Sequence, residues 1–189
     1  MRPSLNAATV VAEAAAFADE AGFEMVTLSA VARRLGVQAP SLYSHVRDLE
    51  ALRDGVTALA LSELADRVGE AIAGRSGLTA LRSYAAAYRE YARESPGRWQ
   101  SLQRRAGEAV VRSDAARNMA AQAGAVLRGY SMPPEEHVHA VRLLGSTING
   151  FLALERSGNF DHSSPAPEES WDRTVVALDS LLRAWPVRD

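Results

Sequence analysis

An all-α fold is predicted by three features of the sequence. No run of β-branched or aromatic residues alternates at period 2 beyond a few residues. Ala-rich segments with apolar residues three and four apart recur instead, and caps and breakers delimit them at helical lengths. Val10, Ala14, Phe17 and Ala21 form the first stripe, ended by Gly22. Thr27 is an N-cap for a short helix that runs to Leu35 and stops at Gly36. Pro40 suits the first turn of a third helix about two turns long, because its missing N–H costs nothing there. Asp48 then caps a longer helix that carries Leu49, Leu52, Val56, Leu59 and Leu64 towards Ile72, before Gly74, Ser76 and Gly77 break it. Four further helices are expected over about 77–95, 99–129, 134–157 and 168–185. Ser95-Pro96-Gly97, the stretch 129–134 and the loop 158–167 separate them, and Pro133-Pro134-Glu135-Glu136 puts acids where a helix dipole favours them.

Composition narrows the function. The chain has 189 residues, 47% hydrophobic and 23% charged, enough to bury a core. It has no Cys, which excludes disulfide scaffolds, thiolate metal sites and Cys nucleophiles. All 21 basic residues are Arg, and against 23 acids they leave a net charge of −2, which argues against coating nucleic acid through bulk charge. The longest apolar stretch, Asn6 to Phe17, contains Glu13 and is mostly Ala, short of the roughly 20 apolar residues of a membrane span. Met1-Arg2-Pro3 is followed by no uninterrupted apolar segment of a signal peptide, so a cytoplasmic protein without membrane partners is expected.

Two short helices joined by a tight turn and followed by a longer one form a helix-turn-helix pattern. Counting from Leu28, the fifth residue is Ala32, small enough for two helices to cross, and the ninth is Gly36, which takes φ > 0 at the turn. Val31, Leu35, Val37, Leu42 and Val46 then face inward, leaving Gln38, Ser41, Tyr43, Ser44 and His45 on the surface. These types suit DNA: Gln pairs with adenine edges, and the Ser, Tyr and His groups reach phosphates or base acceptors. The alternative has Tyr43 packed on a neighbouring helix, with Ser44 and His45 merely solvated.

The run Thr27-Leu28-Ser29-Ala30-Val31-Ala32-Arg33-Arg34-Leu35-Gly36-Val37, followed by Pro40-Ser41-Leu42-Tyr43-Ser44-His45-Val46, resembles the DNA-binding domain of the TetR/AcrR family of bacterial transcriptional regulators over roughly residues 5–60. The resemblance implies an all-α homodimer that offers one recognition helix to each half-site of a palindromic operator in double-stranded DNA. It makes Gln38, Ala39, Ser41, Tyr43 and His45 the base-reading positions and Thr27, Ser29 and Tyr43 the phosphate anchors. Pro40, Ser44 and Arg47 complete the candidate DNA-binding set. Many members carry Lys where this chain has Leu49, so that phosphate contact is either weaker here or supplied by Arg47 or Arg53. The expected division is a DNA-binding domain over 1–50, linked through the helix that starts near 48, and an effector-binding and dimerisation domain over 51–189.

Helix 134–157 carries Val138, Val141, Leu144, Ile148 and Leu152 on one stripe, with Leu143, Thr147, Phe151 and Leu154 beside it, a face wide enough to be buried from two directions. Helix 168–185 repeats the pattern with Trp171, Val175, Leu178, Leu182 and Trp185. Doubled by a twofold axis, the pair makes a four-helix dimer interface in which Gly145 and Gly150 allow close approach; the alternative is an ordinary monomeric core. Ser95-Pro96-Gly97-Arg98-Trp99 and Asn149-Gly150-Phe151-Leu152-Ala153-Leu154-Glu155 resemble the WHG-type effector domain of a TetR subgroup, with Asn149 where His is common. That resemblance implies a pocket where a small molecule shifts the spacing of the DNA-binding heads. Tyr84, Tyr88, Trp99, Gln103, Met119, Gln122 and Asn149 are the candidate ligand-binding residues, since apolar walls with a few polar groups make such sites.

An enzyme is not expected, and no cofactor, metal or catalytic residue is assigned. His137 and His139 stand two apart on a helix and diverge, and there is no phosphate loop or nucleophile elbow. The expected function is a sequence-specific repressor released from its operator by a small molecule. The alternatives are a ligand-independent DNA-binding activator and, less favoured, an all-α enzyme.

Overall fold

The computed structural model describes residues 5–186. Among the described residues there are no strands, and the α-helices in chain order are α1 (Ala7–Ala21), α2 (Leu28–Leu35), α3 (Leu49–Ile72), α4 (Gly77–Glu94), α5 (Pro96–Ser101), α6 (Glu108–Val111), α7 (Asp114–Leu127), α8 (His137–Arg156) and α9 (Pro167–Arg183). Short 3-10 segments occur at Phe23–Met25, Ala39–Ser44 and Pro134–Glu136.

Two elements differ from expectation. The segment that begins near Pro40 is a 3-10 turn, Ala39–Ser44, and not a two-turn α-helix. Nine residues separate the Gly36 stop from Val46, of which Gln38 is extended and Pro40 has no N–H to contribute, and the piece is closed by i→i+3 bonds such as Ser41 N–H to the Gln38 carbonyl at 2.9 Å. The expected helix 99–129 is three helices. Pro96 opens α5 at its first position, while Gly107 stands in the N-cap position of α6 in extended conformation. Ser113 then caps α7 by accepting from the Ala116 N–H at 3.2 Å.

Packing divides the chain into two units. The first runs to Ala65 and includes Tyr91–Arg117; the second is Asp66–Glu90 with the residues from Asn118 onward. This division differs from the functional one drawn at residue 50, because α3 and α4 each pass from one unit into the other.

In the first unit, α1 lays its Ala-rich face, Val10, Ala14 and Ala18, into a core with Phe23, Val26, Val31, Ala32, Leu42, Val46, Leu52 and Val56. Small residues let the helices approach closely. The tightest approach is at Gly97, where a Cβ would stand 1.9 Å from the Ala18 carbonyl oxygen, so only glycine fits.

The second unit packs Ala140, Leu144, Ile148 and Leu152 of α8 together with Trp171, Val175, Leu178 and Leu182 of α9. The Phe151 ring lies 5.1 Å from that of Trp171 and 5.0 Å from that of Phe160. Arg89 of α4, only 8% exposed, pairs with Glu155 of α8 and reaches Glu168 of α9 at 3.5 Å, with its guanidinium 5.1 Å from the Trp171 ring centre. The Tyr130 hydroxyl donates to Asp179 at 2.7 Å. Burial alone would raise the Asp179 pKa, but the hydrogen bonds from Arg183 and Tyr130 outweigh it and hold the carboxyl below its ordinary value.

Leu42 is fully buried in the first core, so Leu42→Ala is expected to lower stability by about 2–5 kcal/mol. A denaturant titration checks this; a loss below about 1 kcal/mol would show that the cavity collapses.

Candidate nucleic-acid interface

The turn that presents the candidate interface is set by Gly36. It takes φ +68°, ψ +32°, and its N–H bonds back to the Ala32 and Arg33 carbonyls. Val37 N–H then reaches the Ala32 carbonyl at 3.0 Å, closing α2 in a Schellman motif. Ala32 is buried, as its place in the crossing requires. Thr27 caps α2 by accepting from the Ala30 N–H at 3.2 Å, which leaves its hydroxyl proton free to donate outward.

After the turn, only Leu42 of the segment Ala39–Ser44 is buried. Gln38, Pro40, Ser41, Tyr43, Ser44 and Arg47 are exposed, as are Thr27 and Ser29, while Ala39 and His45 are half-buried. Tyr43 is 59% exposed, which removes the alternative that it packs on a neighbouring helix. Ser44 donates to the Ser41 carbonyl at 2.9 Å and so holds the turn. The structure thus brings Gln38, Ser41, Tyr43 and Ser44 onto one short, exposed segment, with Thr27 and Ser29 at the start of α2.

The arginines of this region are mostly committed elsewhere. Arg34 lies between Glu13 and Glu20 of α1, bonding Glu20 at 2.6 and 2.9 Å, and the Arg34 hydrogen bond lowers the Glu20 pKa. Arg53 turns inward, donating to the Glu24 and Val26 carbonyls at 3.2 and 3.4 Å, with its guanidinium 5.6 Å from the Phe23 ring centre. It is therefore not the free phosphate ligand expected in place of the missing Lys. Arg47 is exposed but pairs with Asp48 at 2.7 Å. Asp48 also accepts from the Ala51 N–H at 2.7 Å at the start of α3; that bond first, and Arg47 second, keep its pKa low. Arg33 is exposed and has no ion pair with any described residue. The engagement of Arg34 and Arg53 depends on partners 14 to 29 residues away, which periodicity does not signal.

Of the ligand candidates, Trp99 and Gln103 pack with the first unit, the former buried and the latter exposed. Tyr84, Tyr88, Met119, Gln122 and Asn149 belong to the second unit. Tyr84 and Tyr88 are brought together on α4, with hydroxyls 3.1 Å apart and ring centres 5.0 Å apart, and burial raises both phenol pKa values. Asn149 donates to the Gly145 carbonyl of its own helix at 2.9 Å. Gln122 lies beside Gly69, its side-chain nitrogen 2.9 Å from where a Cβ would be.

A buried two-helix motif that carries an exposed polar turn, followed by a larger set of helices, defines a helix-turn-helix transcriptional regulator that binds DNA. The comparisons agree. Residues 81–178 match the family model described as "Tetracyclin repressor-like, C-terminal domain". The HTH-type transcriptional regulator Rv0681 of Mycobacterium tuberculosis is 34% identical over 185 residues, 96% of this chain and 81% of that protein. YobS of Bacillus subtilis, also an HTH-type transcriptional regulator, is 28% identical over 180 residues, 95% of this chain and 88% of that protein. The chain belongs to the TetR family. Among solved structures, Mycobacterium smegmatis BioQ has TM-score 0.74 at 20% identity, covering 96% of this chain and 100% of its own. TetR from Acinetobacter baumannii AYE has TM-score 0.68 at 21% identity, covering 97% and 100%. Both likenesses extend to the whole all-α architecture.

Tyr43→Ala is expected to weaken binding to every DNA sequence, while Gln38→Ala relaxes preference at one or two base pairs by about 1–3 kcal/mol. Affinities on specific and random duplexes check this; equal loss on both for Gln38→Ala contradicts its base-reading role. With Arg34 and Arg53 engaged, and Arg2 outside the described residues counted beside Arg33 and Arg47, the slope of log K against log salt is expected to be no steeper than about −3 per head, at about −0.9 per phosphate. A steeper slope in a salt titration would place further cations on the DNA.

Proposed function

We propose that the protein is a homodimeric repressor that binds a palindromic operator through Thr27, Ser29, Gln38, Ala39, Pro40, Ser41, Tyr43, Ser44, His45 and Arg47 and leaves it when a small molecule binds residues of the 51–189 domain. The observation that carries the DNA-contact assignment is the exposure of Tyr43 beside the fully buried Leu42, which leaves the polar residues of the turn no packing role. Such a protein works where its DNA is, in the cytoplasm.

Dimerisation through α8 and α9 is supported by apolar surface left uncovered in one chain. Val138 and Leu154 of α8 and Val176 and Leu181 of α9 are all exposed. A Cβ added at Gly145 or Gly150 would meet nothing within 4 Å, which leaves room for a second backbone. Release by a small molecule is supported by kinship: a variant of TetR from Acinetobacter baumannii AYE, whose fold this chain shares at TM-score 0.66, was crystallised with minocycline. The neutral phenols of Tyr84 and Tyr88, with Met119, Gln122 and Asn149 of the same unit, offer the apolar and hydrogen-bonding mixture that suits such a ligand.

Footprinting of the DNA beside its own gene is expected to show a protected palindrome; no protection at low salt would sink the reading. Val176→Glu combined with Leu181→Glu is expected to give monomers in sedimentation and to cost the protein its operator affinity, since each half-site then binds alone. A double variant that stays dimeric would move the interface off α9.

A further inference from the structure

The last turn of α1 is gripped by α5, entirely within the first packing unit. Asp19 Oδ1 accepts from the N–H groups of Gly97 and Arg98, each at 2.9 Å, and Oδ2 accepts from Arg98 Nε at 2.7 Å. The other arm of the same guanidinium reaches both oxygens of Glu63 on α3 at 2.8 Å, and the Tyr91 hydroxyl donates to that carboxylate at 2.8 Å. Gly97 brings backbone against backbone at Ala18, and the Phe23 N–H donates to the Gln100 side chain at 3.1 Å. Ser95, in the N-cap position of α5, makes no side-chain cap bond, so Asp19 supplies from another helix what α5 lacks in its own sequence.

Neither α1 nor the core needs this arrangement in order to form. α1 has its own capping box at Asn6 and Thr9, and its buried residues are apolar. Arg98 lies within the stretch 81–178 that matches the C-terminal domain model, yet it packs in the unit that contains the helix-turn-helix. A bridged guanidinium fixes orientation more strictly than apolar packing does. α1 in turn holds α2 through Glu13, Glu20 and Arg34, and shares its core with Leu42 of the reading turn.

We propose that Asp19 and Arg98 are positioning residues for operator binding: they touch no DNA, but the clasp they form fixes α1 and, through α1, the reading turn. The proposal rests on the DNA-contact surface assigned above. Its test uses the full-length protein and a duplex that the wild-type protein selects from random DNA. Asp19→Asn keeps the size and an acceptor for the two N–H groups but gives up the ion pair. Operator affinity is expected to fall about tenfold. The salt slope stays as in the wild type, because no phosphate contact is lost, and the penalty for inserting one base pair between the half-sites shrinks, because the heads are less strictly held. Arg98→Lys, which keeps charge but loses the two-armed bridge, is expected to behave alike. If Asp19→Asn does not fold, Glu63→Gln at the far end of the guanidinium carries the same expectations. Wild-type affinity and spacing preference in these variants would overturn the proposal, as would a loss accompanied by a flatter salt slope. Tyr43→Ala separates it from the contact surface, since that variant loses affinity with its spacing preference intact.

Discussion

Leu42 is the one buried residue of the segment Ala39–Ser44, and the character of the surface proposed to face DNA follows from it. A 3-10 piece of six residues makes too few backbone bonds to hold itself in water, so its conformation comes from its neighbours. Gly36 sets where it begins, Leu42 draws its middle into the core, and Val46 draws its exit in after it. With those apolar points taken, the remaining side chains have no inward destination. Gln38, Ser41, Tyr43 and Ser44 are exposed as a geometric consequence; Ser44 donates to the Ser41 carbonyl, and the side chains of Gln38, Ser41 and Tyr43 are the polar groups the proposed DNA contact would use.

The same core explains why α1 is built from Ala. A helix packing on α2 and meeting α5 at Gly97 must present a thin face on more than one side, and Ala14, Ala15 and Ala18 are buried in it. Large residues there would hold the helices apart and withdraw support from Leu42. Three acids of α1 tie it to its neighbours, Glu13 and Glu20 through Arg34 and Asp19 through Arg98.

Much of this was legible in the sequence, because it rests on local rules. Thr27, Gly36 and Asp48 act at their positions as a cap, a left-handed stop and a cap, and the spacing of Ala32, Gly36 and Leu42 places the small residue, the turn and the anchor correctly. Exposure of the polar turn follows from the same count. Other features depended on tertiary structure. The break of 99–129 into three helices turns on Gly107, whose N–H finds Asp54 at 3.3 Å, fifty-three residues back along the chain. The 3-10 form of the reading turn reflects the length available between two core anchors, which periodicity does not measure. The inward use of Arg53 required Phe23 and two carbonyls to be brought to it by folding.

Those long-range partners also bear on the composition that argues against coating nucleic acid through bulk charge. A chain with 21 Arg, no Lys and a net charge of −2 has no spare positive field to lend to a phosphate backbone. Four of its arginines are each shared between two carboxylates: Arg34 by Glu13 and Glu20, Arg98 by Asp19 and Glu63, Arg104 by Glu50 and Asp54, and Arg89 by Glu155 and Glu168. A planar guanidinium with donors on several edges can bridge two acids in fixed directions; an ammonium on a flexible stem holds them only as a point charge. For Arg98 and Arg89 the two acids stand on different helices, and for Arg34 and Arg104 both stand on one helix that the arginine reaches from another segment. In each case the charge serves as a brace between elements. The near balance of acid and base is what such bracing requires. With these arginines held as braces, few cations of the first unit remain for phosphates, and the proposed DNA contact draws mainly on the hydroxyl and amide groups of Gln38, Ser41 and Tyr43.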